Sequence, residues 1–119
     1  AQVILVGASI GADAAVDARR EGRGGAGSAS PGGFLGVPYD EALAALRGRD
    51  VPVLCLAAEG DGSAARTCAS GQAVGLSDYE VHIYEGGLHG NPLVADSSAV
   101  PGPAPVERIV GWLDAHWPR

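Results

Sequence analysis

Three short apolar runs constrain this chain more than any other feature. They are QVILV over residues 2–6, VPVLCLA over 51–57 and YEVHIY over 79–84. Each has the length of a strand, not of a buried helix. The first two are continuous and rich in β-branched residues, the pattern of strands covered on both faces in a parallel sheet. The third alternates and reads as a strand with two unlike faces. Pro52 is tolerated because it stands near the start of its run. Between and after the runs lie helical stretches. Residues 10–20 place alanines and Val16 on one side and Asp13 and Asp17 on the other, with Arg19 and Arg20 at the end, where cations suit the helix dipole. Residues 39–46 read as a helix with Asp40 as N-cap. Residues 63–70 form a short helix stopped at Gly71. Residues 104–116 form an amphipathic closing helix whose inward stripe is Val106, Ile109, Val110 and Leu113. Residues 22–33 are small-residue punctuation in which 27–30 make a weak strand. The order β-α-(β)-α-β-α-β-α predicts an α/β fold, a parallel sheet with helices on both faces. A chain of 119 residues holds one such domain, over 1–119.

Charge and composition exclude several classes of function. The formal net charge is −6, every cation is arginine, and none cluster beyond Arg19-Arg20, so there is no basic stripe for nucleic acid. No apolar run approaches the roughly 18 residues that span a bilayer, and no basic segment followed by an apolar run opens the chain. No membrane partner is expected, and the cytoplasm is the expected location. The two cysteines, Cys55 and Cys68, have no metal-ligand spacing. Cys55 sits in an apolar strand, so the pair reads as buried reduced thiols rather than a disulfide.

The segment that carries chemistry is Gly7-Ala8-Ser9-Ile10-Gly11. It is G-x-S-x-G, placed between a buried strand and a helix. At such a junction the serine occupies a tight, strained turn that lifts its hydroxyl above the sheet, and glycines on either side remove colliding side chains. The same turn aims backbone N–H groups at the helix start, where a developing oxyanion can rest. A serine hydroxyl is a weak nucleophile and needs a base, which in turn needs an orienting acid. Asp61 lies in the Glu59-Gly60-Asp61-Gly62 segment just after the second apolar run. His89 lies in Gly86-Gly87-Leu88-His89-Gly90 just after the third. In a parallel sheet the loops after the strands share one edge, so Ser9, Asp61 and His89 are expected to converge.

With this order of residues the chain resembles the C-terminal half of an α/β-hydrolase of the dienelactone-hydrolase-like and esterase-like branch. The segments that carry the resemblance are VILVGASIGADAAVDA, SPGGFLGV, VPVLCLAAEGDGSA, YEVHIYEGGLHGNPLV and IVGWLDAHW. The resemblance implies Ser9 as nucleophile, Asp61 as acid and His89 as base. It also implies one oxyanion donor from the backbone N–H of Ile10, and an elbow framed by Gly7 and Gly11. The implied reaction is cleavage of a carboxylic ester or related acyl bond in a small-molecule substrate, with no cofactor and no metal. The dienelactone hydrolases proper carry cysteine at the elbow, and the serine here points to ordinary ester chemistry.

The resemblance also marks what differs. That family's fold begins with about four strands ahead of the elbow strand, and a loop among them supplies the second oxyanion donor. Here only Ala1 precedes the strand, the chain has no methionine, and the expectation is half of a larger domain. Losing one oxyanion donor costs about 3–4 kcal/mol of transition-state stabilisation. The run Gln2 to Val6 would then be an exposed apolar edge that pairs with its missing half or with a second copy. An alternative from another class follows, a catalytically silent half-domain that serves only as an assembly or binding piece. Other signals carry less. Gly22-Arg23-Gly24-Gly25-Ala26-Gly27 is a literal G-x-G-x-x-G, but it follows a helix instead of a strand and does not bind a dinucleotide. His82 shares an outward phase with Glu80, and His116 suits the end of its helix. Glu59 is Asp61's rival within the same loop. Phe34, Leu35 and Leu88 could rim an acyl pocket, and helix packing explains them equally well.

Overall fold

The computed structural model describes residues 2–118. Four strands form one parallel sheet in the order of the sequence: β1 (Gln2–Ala8), β2 (Arg23–Ala29), β3 (Val53–Ala58) and β4 (Tyr79–Tyr84). Helices α1 (Ile10–Asp17), α2 (Tyr39–Ala44) and α3 (Ala64–Ser70) are the crossovers, and α4 (Asn91–Ala95) and α5 (Pro105–His116) follow the last strand. The expected α/β fold is what the chain adopts. Right-handed crossovers between strands laid down in one direction put their helices on one face. Accordingly α1, α2 and α3 cover one side of the sheet, and α4 and α5 cover the other.

β3 shows how the sequence builds both layers. It is buried along its whole length. Val53, Cys55 and Ala57 face the α1–α3 layer, where Val16, Leu43, Leu46 and Cys68 meet them. Leu54, Leu56 and Ala58 face the other layer with Tyr84, Leu93 and Trp112. A strand alternates its side chains, so an unbroken apolar run is what two covered faces require.

β2 is longer than the weak strand expected over 27–30. It runs RGGAGSA and pairs with β1 from Gln2↔Arg23 to Ala8↔Ala29. Strand propensity would not find it. Its glycines are explained by close approach. A Cβ on Gly25 would stand 2.4 Å from the Trp117 ring, so the indole lies directly on the backbone there.

Several other expectations change. The N-cap of α2 is Pro38, not Asp40. Asp40 sits inside the first turn and accepts from the Glu41 N–H at 2.9 Å. α3 ends at Ser70 with Gly71 as its C-cap, as expected, and the chain goes on into a 3-10 turn over Gly71–Val74. On α5, Val106 and Val110 are 48% and 47% exposed, so they are not part of the inward stripe. The helix is rotated to bury Trp112, whose ring area outweighs two valines. Ile109 and Leu113 pack beside it as expected.

The cysteines are the clearest correction. They are not free thiols. Cys55 of β3 and Cys68 of α3 form a disulfide, with Cα atoms 5.6 Å apart. The alternation that turns Cys55 toward α3 places it under the helix's buried side, where Cys68 points down. The bridge spans 13 residues, a separation for which chain-entropy arguments give about 3 kcal/mol. Urea unfolding with and without reductant, and of Cys55→Ala/Cys68→Ala, is expected to show a loss near that size. A loss well below 1 kcal/mol would mean that the bridge only decorates the core.

The far end of α5 is tied by a histidine. The His116 imidazole donates from Nδ1 to the Trp112 carbonyl at 2.8 Å and from Nε2 to the Asp78 carboxylate at 2.6 Å. Both partners only accept, so both nitrogens carry protons. Burial alone would lower this group's pKa, but the two hydrogen bonds and the charges of Asp78 and Glu80 outweigh it and raise it above the ordinary 6.5. A raised folded-state pKa stabilises fully below 6.5 and loses that contribution as pH rises through the raised value. Stability measured from pH 6 to 9 is therefore expected to fall more steeply for the wild type than for His116→Gln. Parallel curves would remove His116 from the linkage.

Candidate active site

The loops after β1, β3 and β4 open on the C-terminal edge of the sheet, and they bring three side chains into one line. Ser9 Oγ lies 2.8 Å from His89 Nε2, and His89 Nδ1 lies 2.6 Å from Asp61 Oδ2. The carboxylate can only accept, so Nδ1 carries the ring proton. Nε2 is then the acceptor for the Ser9 hydroxyl. This is the arrangement in which a serine loses its proton to a base held in one tautomer. The Asp61 side chain is 17% exposed and that of His89 41%. The carboxylate is thus shielded while the imidazole faces the solvent side.

Ser9 is held in a costly conformation. Its φ is 57° and ψ −122°, a region that β-carbon residues avoid and that functional turns retain. It is also the N-cap of α1, a position where serine ordinarily accepts from the helix's first N–H groups. Here its side chain makes no capping bond. The hydroxyl is turned to His89 instead. Ile10 N opens α1 beside it, in the first turn where N–H groups have no intrahelical partner.

The turn depends on Gly7. A Cβ there would stand 2.1 Å from the Gly11 carbonyl oxygen. At Gly11 a Cβ would meet nothing within 4 Å. The steric reason expected for both glycines therefore holds at Gly7 alone.

Asp61 and His89 are placed by hydrogen bonds that continue past the strand ends. Glu59 N donates to Tyr84 O, and Gly60 N to Gly86 O, both at 2.8 Å. These zip the two loops together and bring Asp61, rather than Glu59, to the imidazole. His82 pairs with Glu80 at 2.6 Å on the side of β4, away from this line.

Two positioning residues were not apparent from sequence. Ser30, fully buried at the end of β2 with φ 59°, accepts from Gly90 N at 2.9 Å. It thereby anchors the residue next to His89. Asp13, 4% exposed in α1, accepts from the backbone N–H groups of Gly32, Gly33 and Phe34 at 3.3, 3.1 and 2.8 Å. It fixes the loop after β2. That loop presents Phe34 edge-on to His89, ring centres 6.1 Å apart. The only signal in the sequence was a carboxylate on an otherwise small-residue helix, which reads as a solvent-facing charge.

Beside the triad is a cleft of about 390 Å³, lined by Pro31, Gly32, Phe34, Asp61, Gly62, Ser63, Ala64 and His89. Phe34 lines it, while Leu35 and Leu88 are exposed outside it. Among the described residues no group of three or more potential metal ligands gathers, and none of the helices is long and apolar enough to cross a membrane. Compared with protein-family models, with curated proteins and with solved structures, the chain finds no match.

The roles of the two elbow glycines separate experimentally. Gly7→Ala is expected to cost about 2 kcal/mol or more, because backbone must move to relieve the contact. Gly11→Ala is expected to be neutral or to stabilise by about 0.5 kcal/mol, since alanine favours the helix. Thermal unfolding of both variants checks this, and equal losses would refute the asymmetry.

Proposed function

We propose that this protein is a serine hydrolase that cleaves a carboxylic ester or related acyl bond of a small molecule. The observation that carries the reading is the hydrogen-bonded line Ser9–His89–Asp61, with Ser9 in a strained strand-to-helix turn. In this reading Ser9 Oγ attacks the carbonyl carbon as its proton passes to His89 Nε2. The tetrahedral oxyanion accepts from Ile10 N–H. His89 then gives the proton to the departing alcohol, leaving an acyl-serine. Water attacks the acyl carbon, losing its proton to His89, and the acid leaves as Ser9 regains its hydrogen. Asp61 keeps Nδ1 protonated and stabilises the imidazolium. No step calls for a metal or a cofactor. One such donor is worth about 10²–10³ in rate, which is the share this reading gives to the Ile10 N–H.

A fluorophosphonate probe tests the assignment. It is expected to label the wild type and not Ser9→Ala, and Asp61→Asn is expected to lose about 10⁴ in turnover. Labelling that survives Ser9→Ala removes Ser9 as the nucleophile.

A second reading, a silent module that works by association, draws on a different observation. β1 is an edge strand, and Val3, Val6 and Ile10 are 47%, 47% and 56% exposed, with Val106 and Val110 open on α5. Such an edge favours pairing with another chain or with a second copy. A folded chain that neither labels nor turns over ester, yet associates with rising concentration, would replace the hydrolase reading with this one.

The cytoplasmic location expected from the sequence does not sit with the Cys55–Cys68 bridge, because reducing compartments keep such pairs as thiols. An oxidising compartment accommodates it.

A further inference from the structure

We infer that the cleft beside Ser9 selects esters that carry no negative charge, admitting neutral and cationic acyl groups and rejecting anionic ones. This rests on the hydrolase reading above and adds the charge class of its substrate.

The argument starts from how charge is sorted along the strands. All four strands point the same way, so their following loops share one edge of the molecule. Those loops cover residues 9, 30–38, 59–63 and 85–90, and the α4–α5 connection over 96–104 lies beside them, where Glu85 N donates to Val100 O at 2.7 Å. Together they contain Glu59, Asp61, Glu85 and Asp96, and no arginine or lysine. The arginines gather at the other edge. Arg19 and Arg20 close the first crossover, Arg23 opens β2, and Arg47 and Arg49 lie ahead of β3. The protonated His116 lies at that far edge too, against Asp78.

The cleft itself agrees. Its lining is Phe34, Pro31, small residues and two members of the triad, with no cation. Two arginines stand on elements that reach toward this edge, and neither lines it. Arg108 donates to the Gly102 carbonyl at 3.3 Å, and Arg66 is exposed on α3. A carboxylate in the acyl group would therefore find no cationic side chain to pair with in the cleft. It would also approach through the field of Glu59 and Glu85, which immediately follow β3 and β4 and are both exposed. The Asp61 charge is already engaged by His89, so it orients the base more than it attracts a cation. Like-signed fields over a cleft lower the local substrate concentration, and salt screens them.

Three 4-nitrophenyl esters with acyl chains of similar length test this: the butyrate, the glutarate monoester and the 4-(trimethylammonio)butyrate. At low ionic strength kcat/KM is expected to fall about tenfold or more from the neutral to the anionic ester. The cationic ester is expected to match or exceed the neutral one. The spread is expected to narrow at about 0.5 M salt, where the screening length is only a few ångströms. Glu59→Gln/Glu85→Gln, which leaves the triad intact, is expected to narrow it in the same direction. Neutral turnover with an anionic ester hydrolysed equally well or faster overturns the inference and leaves the hydrolase reading standing. Absence of turnover on all three, together with absence of fluorophosphonate labelling, overturns the hydrolase reading and this inference with it.

Discussion

The hydrogen bond between Ser9 and His89 joins residues 80 positions apart, and it exists because β1 and β4 point the same way. Parallel pairing is the constraint from which the rest of the molecule follows. It places the end of every strand on one edge, so a side chain just past β1, one just past β3 and one just past β4 meet without any long loop to carry them. It also forces each connection to return across the sheet, which supplies three helices for one face. The second face is left to whatever follows β4, and α4 and α5 take it. An antiparallel sheet built from the same strands would scatter these three residues over two edges.

How much of this was legible in the sequence depends on which force sets each element. β1, β3 and β4 could be read because each is an apolar run, but only β3 is covered on both faces as expected; β1 is the edge strand and leaves Val3 and Val6 47% exposed. The positions of Ser9, Asp61 and His89 were equally legible, since a strand end followed by a glycine-rich turn is a local signal. β2 was legible only in its last residues, within the weak strand expected over 27–30, because closeness rather than hydrophobicity sets it. Its glycines carry no apolar pattern, yet they let β1 and the Trp117 ring lie against its backbone. The disulfide was missed for a related reason. Cys55 and Cys68 each look like core residues taken singly, and only the packing of α3 on β3 shows that they share one spot in that core. α4 is five residues long, too short for periodicity to register.

The buried polar groups show what holds the site once the strands have placed it. Asp13 and Ser30 touch no substrate in the proposed reaction. Asp13 binds three successive amides of the loop that presents Phe34, and Ser30 binds the amide next to His89. A loop without regular structure has backbone donors that must find partners when buried. A carboxylate and a hydroxyl fixed on α1 and β2 are rigid places to find them. Both partners belong to elements adjacent to the turn at Ser9, so Ser9, His89 and the wall of the cleft are referenced to the same strand pair. The disulfide does the corresponding work on the acid's side, since Asp61 lies within the 13-residue span that Cys55 and Cys68 close.

The edge of β1 sets the limit on this arrangement. The strand that carries the elbow has a hydrogen-bonded neighbour on one side only, while the strands that carry the acid and the base are braced by the disulfide and by the loops zipped between them. Ser9 follows that edge strand, and of the three residues it is the one held at a strained φ, 57°. Strain of that kind persists only where the surroundings over-determine it. Here those surroundings are the Ser9 N–H bond to Ala29 O at 2.9 Å, the contact between Gly7 and the Gly11 carbonyl, and the packing of α1 on β2. Anything that pairs with the free side of β1 would add backbone hydrogen bonds to the strand under Ser9. Association along that edge and the conformation of Ser9 are therefore coupled through one strand, so the two proposed readings of this chain draw on the same physical dependence.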